Sequence, residues 1–215
     1  MKQRPILFSG PMVRAMLEGR KTQTRRVVRP QPPPCQNGPA AMHKFLGGWR
    51  YSGCDYSGDA VESCPFGQPG DLLYVRETWQ EFMPGHVAYR ASCENDELDI
   101  AVVGGIQRIG IEKWRPSIHM PKWACRLWLR VTGVRVERLQ EISEKDAEAK
   151  GISRCDGSCE GGCVGWHVGH DGVHNPHARA AFLRLWNTLY AKRGCGWDTN
   201  PWVWVVTFER CEAPE

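Results

Sequence analysis

The chain has 215 residues, 41% of them hydrophobic and 24% charged, with a formal net charge of +4. That balance excludes a disordered chain, and the length suits one well-buried domain with insertions or two small ones. No apolar run approaches the roughly 20 residues needed to span a bilayer, and the opening Met1-Lys2-Gln3-Arg4-Pro5 lacks the apolar core of a secretion signal, so a cytoplasmic protein with no membrane association is expected. In a reducing compartment the ten cysteines would be buried thiols or metal ligands rather than disulfides. The ten tryptophans suit either core packing or base stacking.

Arg4 to Ser9 predicts a short apolar strand. Gly10 to Glu18 predicts an amphipathic helix, with Ser9 or Gly10 as the cap, Pro11 at the first helical position and Gly19 as the stop. From Lys21 the chain alternates. Lys21, Gln23 and Arg25 fall on one side and Thr22, Thr24 and Arg26 on the other, which is a strand pattern running into Val27 and Val28 and ending at Pro30. Residues 31–70 are interrupted by prolines and glycines and read as an insertion anchored by Trp49, Tyr51 and Phe66.

Gly70-Asp71 predicts a turn and Leu72 to Val75 a buried strand, with Arg76 and Glu77 where the apolar run stops. Val87 to Ala91 reads as a further strand, and residues 92–112 are variable in character. Ser117 to Lys122 reads as an extended loop. Cys125 to Arg138 alternates strongly, with a turn expected at Gly133. Ser143 to Gly151 predicts a short helix capped by Ser143 and closed by Gly151. A glycine-rich loop follows, then an amphipathic helix from Pro176 to Lys192 with Ala181, Phe182, Leu185, Trp186 and Leu189 on one face. Trp202 to Phe208 is a strong strand. Many short strands with two or three small helices predict a mixed α+β domain on a compact barrel.

Charge is unevenly spread. Residues 1–30 hold eight Lys/Arg against one acid, Glu18, for +7, so the rest of the chain sums to −3 to reach +4. The positive field centres on the turn Gly19 to Arg26. It implies an anionic partner such as a phosphate or nucleic acid, against the simpler reading of a solvated edge strand.

Three stretches together resemble the ASCH family, a PUA-like β-barrel. They are Leu17-Glu18-Gly19-Arg20-Lys21-Thr22-Gln23-Thr24-Arg25-Arg26, the Gly70-Asp71 strand, and the helix Ile142 to Gly151. The opening Pro5 to Met12, the segment Val75 to Trp79 and the ending Gly196 to Trp204 are similar to the larger members found in bacteriophages and prophages. The resemblance implies one PUA-like domain over residues 1–215, with insertions at about 31–69 and 152–175. It also implies action on RNA or nucleosides. Small members remove acyl groups from N4 of acylated cytidine, with a lysine base and a threonine nucleophile that correspond to Lys21 and Thr24. A threonine hydroxyl needs a nearby base to become nucleophilic, and a lysine serves as that base only when burial or positive neighbours lower its pKa. Where the family has a glutamate near the end of the short helix, this chain has Lys150. Glu77 is the preferred substitute, with a structural ion pair as its alternative.

The substrate-binding residues expected are Arg20, Arg25, Arg26, Arg76, Trp79 and Asn200, the last from the resemblance alone. No cofactor is required for this chemistry. The competing functions are a non-catalytic RNA-binding module, in which Trp79 or Trp202 would stack bases, and a ribonuclease. Separately, Cys155, Cys159 and Cys163 with His167, and with His170 and His174 nearby, offer thiolates and imidazoles for a structural zinc, against a simply variable loop.

Overall fold

The computed structural model describes residues 1–31, 41–45, 48–52, 63–93, 96–102, 105–157, 164–168 and 173–214. Strand β1 (Gln3–Leu7) leads into helix α1 (Gly10–Leu17), for which Ser9 is the N-cap residue without a side-chain cap bond. Strand β2 (Gln23–Val27) follows, then the hairpin β3 (Ala41–Phe45) and β4 (Gly48–Ser52). After β5 (Leu72–Arg76) come two more hairpins, β6 (Trp79–Met83) with β7 (His86–Tyr89), and β8 (Glu97–Val102) with β9 (Gly105–Gly110). The long strand β10 (Trp128–Arg138) precedes helix α2 (Glu144–Ala149). The hairpin β11 (Ser153–Asp156) and β12 (Val164–His167), helix α3 (Ala178–Tyr190) and strand β13 (Trp202–Cys211) complete the described elements.

Five strands form one sheet in the order β1-β5-β10-β13-β2, with β1 and β5 parallel and the other neighbours antiparallel. The fold is thus mixed α+β, as expected. The closed barrel is not formed: among the described residues β1 and β2 are sheet edges with no strand pairing between them. The sheet nonetheless curls, because Arg26 Nη2 on one edge donates a 2.6 Å hydrogen bond to the Leu7 carbonyl on the other. Among the described residues, no helix is long and apolar enough to cross a membrane.

The period-2 alternation of β13 explains how the core divides. Trp202, Trp204, Val206 and Phe208 enter one buried cluster with Ile6, Val13, Met16 and Leu129. Val203 and Val205 enter a second cluster beneath α3, with Ala181, Phe182 and Trp186. Burying a side chain of this size stabilises the fold by roughly 1.5–3 kcal/mol, so α3 is held by its apolar stripe. Ser143 caps α2 as predicted, its Oγ accepting from Asp146 N at 3.1 Å.

Several local expectations change. The turn expected at Gly133 is a bulge within one continuous strand, where the register shifts between Val131 and Gly133. A Cβ there would lie 2.7 Å from Thr207 Oγ1, so glycine is required by close approach. The variable stretch 92–112 contains the β8–β9 hairpin, whose Asp99 and Arg108 face each other as a cross-strand ion pair. The extended loop at Ser117 to Lys122 is instead made of two short 3-10 turns, Ser117–His119 and Lys122–Ala124. Trp49 and Phe66, the expected anchors, are partly buried and pack against the main core; the Tyr51 side chain lies outside the described residues.

Candidate functional site

Two helix ends meet to build the site. Gly19, at φ +74°, turns the chain back after α1, and the amides of Arg20 and Lys21 both donate to the Ala15 carbonyl at 2.9 Å. Helix α2 ends the same way, with Gly151 at φ +87°. Both glycines take up a left-handed conformation that closes a helix at little steric cost. The residues flanking the two turns then pair: Lys21 and Lys150 form an antiparallel bridge, and Thr22 N donates to Ala149 O at 3.0 Å.

The alternation read from sequence put Lys21 and Thr24 on opposite sides. The strand begins only at Gln23, so Lys21 is free of that parity, and both residues line one cavity of about 140 Å³. Lys150 and Arg26 line it too, together with Phe8 and Met12 on one side and Phe182, Trp186 and Tyr190 of α3 on the other. Leu185 and Leu189, expected on the core-facing stripe, border this cavity, and Leu189 is half exposed. No Asp or Glu lines it among the described residues.

Lys21 is 3% exposed. Its Nζ donates to Gln23 O at 2.7 Å and to Lys150 O at 3.0 Å, and lies 5.3 Å from the centroid of the Phe8 ring. Burial, and then the positive charge of Arg26, lower its pKa from the usual lysine value to about 7. A neutral amine has two N–H donors and one lone pair. The two carbonyls take both donors and leave the lone pair as a base. Lys150 is also buried, and its pKa falls well below the usual value through burial, then Lys21, Arg26 and Arg25. Its Nζ sits 5.3 Å from the Phe182 ring centroid.

The other expected site residues separate into distinct places. Arg25 borders the cavity, but its guanidinium is fully buried against acids behind it. It forms an ion pair with Glu137, and its Nη2 donates to Asp146 Oδ2 at 3.1 Å. Gln23 and Arg135 also hold Asp146, at 2.6 and 2.9 Å, so β2, β10 and α2 are locked together. Arg26 sits over Phe8, and its Nε is buried without an acceptor among the described residues. Arg20 is more exposed and bonds Gly151 O at 3.1 Å and Ser153 Oγ at 2.8 Å.

Glu77 does not join Lys21 and Thr24. It is 1% exposed and receives a two-point ion pair from Arg126, Nε to Oε1 at 2.9 Å and Nη2 to Oε2 at 3.0 Å. It borders a separate cavity of about 430 Å³ with Arg14, Arg90 and Asp96. Arg76 donates to the Ile118 carbonyl. Trp79 is a core residue beside Met120 and Ala124, and Trp202 is buried under the Arg138 guanidinium at 4.4 Å, so neither face is open for a base. Asn200 shapes a turn at φ +41°, its Oδ1 accepting from Gln140 N at 2.9 Å.

In the β11–β12 hairpin Cys155 stands opposite Gly165 and His167 opposite Ser153, with the His167 and His174 rings 5.4 Å apart. Cys159, Cys163 and His170 lie outside the described residues. Among the described residues no three His, Cys, Asp or Glu side chains gather as a metal-ligand group.

Sequence reasoning noticed Lys150 only as a departure from a pattern, and read Phe182 and Trp186 as plain core. The available signal was position: Lys150 immediately precedes the glycine that closes α2. Comparison with protein-family models, with curated proteins and with solved structures finds no match to this chain.

Proposed function

We propose that the chain is an ASCH-type hydrolase that removes an acyl group from N4 of acylated cytidine or a related modified nucleoside. The observation that carries this reading is a buried lysine, its pKa near 7, lining the same cavity as a threonine. Lys21 takes the Thr24 hydroxyl proton as the oxygen attacks the acyl carbonyl carbon. The tetrahedral intermediate collapses as the protonated Lys21 returns that proton to the leaving N4, giving the free amine and an acyl-threonine ester. Water, deprotonated by Lys21, then attacks the ester carbonyl, and Lys21 returns the proton to the departing Thr24 oxygen as the carboxylic acid is released. With no carboxylate lining the cavity among the described residues, one lysine serves as both base and acid, and no cofactor enters any step. The Arg26 charge stabilises the developing oxyanion.

The cavity size supports a ring-shaped substrate: a void of about 150 Å³ accepts benzene in a protein core. Aromatic walls at Phe8, Phe182 and Trp186 suit a flat base. The curled mixed sheet is compatible with a PUA-like fold. Assay of the purified protein against acylated and modified nucleosides tests the reading, with Lys21→Ala and Thr24→Ala as controls. Turnover that both substitutions abolish is the expected outcome. RNA binding that falls steeply with salt, without turnover, would instead favour a binding module.

A further inference from the structure

Lys150 has no assigned role in the reaction above, yet it is one of the least comfortable side chains in the molecule. It is 6% exposed, and among the described residues its Nζ makes no hydrogen bond; its close neighbour is the Phe182 ring. A buried cationic group is normally paired, because desolvation without a partner is costly.

The groups facing it make matters worse. From β2 and the turn before it come Arg26 and Arg25, both cationic, and Lys21, a base that titrates near 7; from α3 comes Tyr190; β1 and the start of α1 contribute only Leu7, Phe8, Ser9 and Met12. The nearby acids Glu137 and Asp146 already hold Arg25 and Arg135. The wall is thus largely apolar and aromatic, with the positive charge of Arg26 and, among the described residues, no acid lining it.

We infer that the cavity takes a ring-sized aromatic ligand bearing a carboxylate, and that Lys150 is the residue that binds the carboxylate. The inference rests on the hydrolase reading only for naming this cavity as the substrate site, and it narrows the substrate to a pyrimidine whose ring or acyl group carries a carboxylate. A planar monoanion fits better than phosphate, because the aromatic walls suit a flat ligand, and Lys150 Nζ with Arg26 Nε offers too few free donors for a tetrahedral cradle. The lowered pKa of Lys150 agrees with this picture: arrival of the anion favours the charged amine, so binding takes up a proton.

The test uses orotate, a pyrimidine carboxylate, against its neutral amide and against uracil, by calorimetry near pH 8 in two buffers of different ionisation enthalpy. Orotate is expected to bind about tenfold to a hundredfold more tightly than its amide, the range of one hydrogen bond to a charged group, with net proton uptake. Lys150→Met should erase both the preference and the uptake, and Lys150→Arg should keep the preference. Equal affinity for the three pyrimidines, no orotate binding, inorganic phosphate binding as tightly as orotate, or a preference that survives Lys150→Met would each overturn the inference. Acyl-nucleoside turnover measured alongside separates the two readings. Turnover without carboxylate preference leaves the hydrolase standing, and carboxylate preference without turnover leaves only the binding site.

Discussion

Lys21 and Lys150 are tied to each other twice: their backbones form an antiparallel bridge, and the Lys21 amine donates a 3.0 Å hydrogen bond to the Lys150 carbonyl. The two side chains then line one cavity that no acid lines among the described residues. Burial sets the charge state of both, with Arg26 adding to it at Lys21, and Lys21, Arg26 and Arg25 adding to it at Lys150. The chemistry proposed here depends on that arrangement, because an ordinary lysine is protonated at neutral pH and has no lone pair to offer.

The pH dependence of turnover follows directly. A general base must be deprotonated, so kcat/KM for an acylated nucleoside is expected to rise with pH and level off above about 7, the value to which burial and Arg26 bring Lys21. Lys21→Met should lower kcat/KM by about 10²–10⁴ and remove that rise. A steady-state pH profile of both proteins checks this. An inflection near the ordinary lysine value would show that the base is elsewhere.

Stability should carry the same signature. Between about pH 7 and 10.5 the folded protein holds Lys21 neutral while the unfolded chain protonates it. The unfolded state therefore binds more protons, and folding stability gains as pH rises through this window, by up to about 1.4 kcal/mol per pH unit for each such lysine. The contribution is unfavourable at low pH and vanishes above the unfolded value. Lys150, lowered in the same direction, adds to it. Urea unfolding of the wild type and of Lys150→Met at several pH values is the measurement. The variant is expected to be more stable at pH 7, with the difference shrinking as pH rises; a difference independent of pH would contradict the assignment of a buried, unpaired amine.

Much of the scaffold was legible in the sequence because its signals are local. Ser143 capping α2, Gly19 and Gly151 closing helices and the alternation of β13 each depend on a few neighbouring residues, and all appear in the structure. What was hidden depends on distant partners. Nothing near Glu77 announces Arg126, which lies 49 residues away and pairs with it. Nothing near Arg25 announces Asp146, which reaches it from α2. The strand parity of Lys21 misled for a different reason: alternation was extended two residues before the ladder begins, across the turn that in fact aims the side chain. The ring-sized cavity was likewise out of reach, since its far wall belongs to α3.

Adjacent arginines in β2 should behave oppositely. Arg25 is fully buried between Glu137 and Asp146, so Arg25→Met removes one of the two arginines that hold these carboxylates and is expected to cost about 1.5–3 kcal/mol of stability. Arg26 faces the cavity, so Arg26→Met should be milder for the fold and should depress turnover instead. Thermal unfolding together with kcat/KM on both variants separates the two roles. Similar stability losses in the two would deny the division of the strand into a structural face and a site face.

Gly151 offers the sharpest test of how the fold sets the chemistry. At φ +87° it already occupies a conformation that side chains avoid, and an added Cβ would lie 2.8 Å from the Ala15 Cβ and 3.2 Å from the Lys21 Cβ. The α1 core residue Ala15 has little freedom to yield, so the strain is passed to the turn carrying Lys21. Gly151→Ala is therefore expected to cost about 1–3 kcal/mol in stability. It should also lower turnover by more than the unfolded fraction accounts for, because the Lys21 amine loses its two carbonyl partners as the bridge shifts. Activity per folded molecule, measured well below the melting temperature, gives the answer. If it stays at the wild-type level while stability falls, the Lys21–Lys150 bridge tolerates displacement and the site does not depend on the registry between the two helix ends.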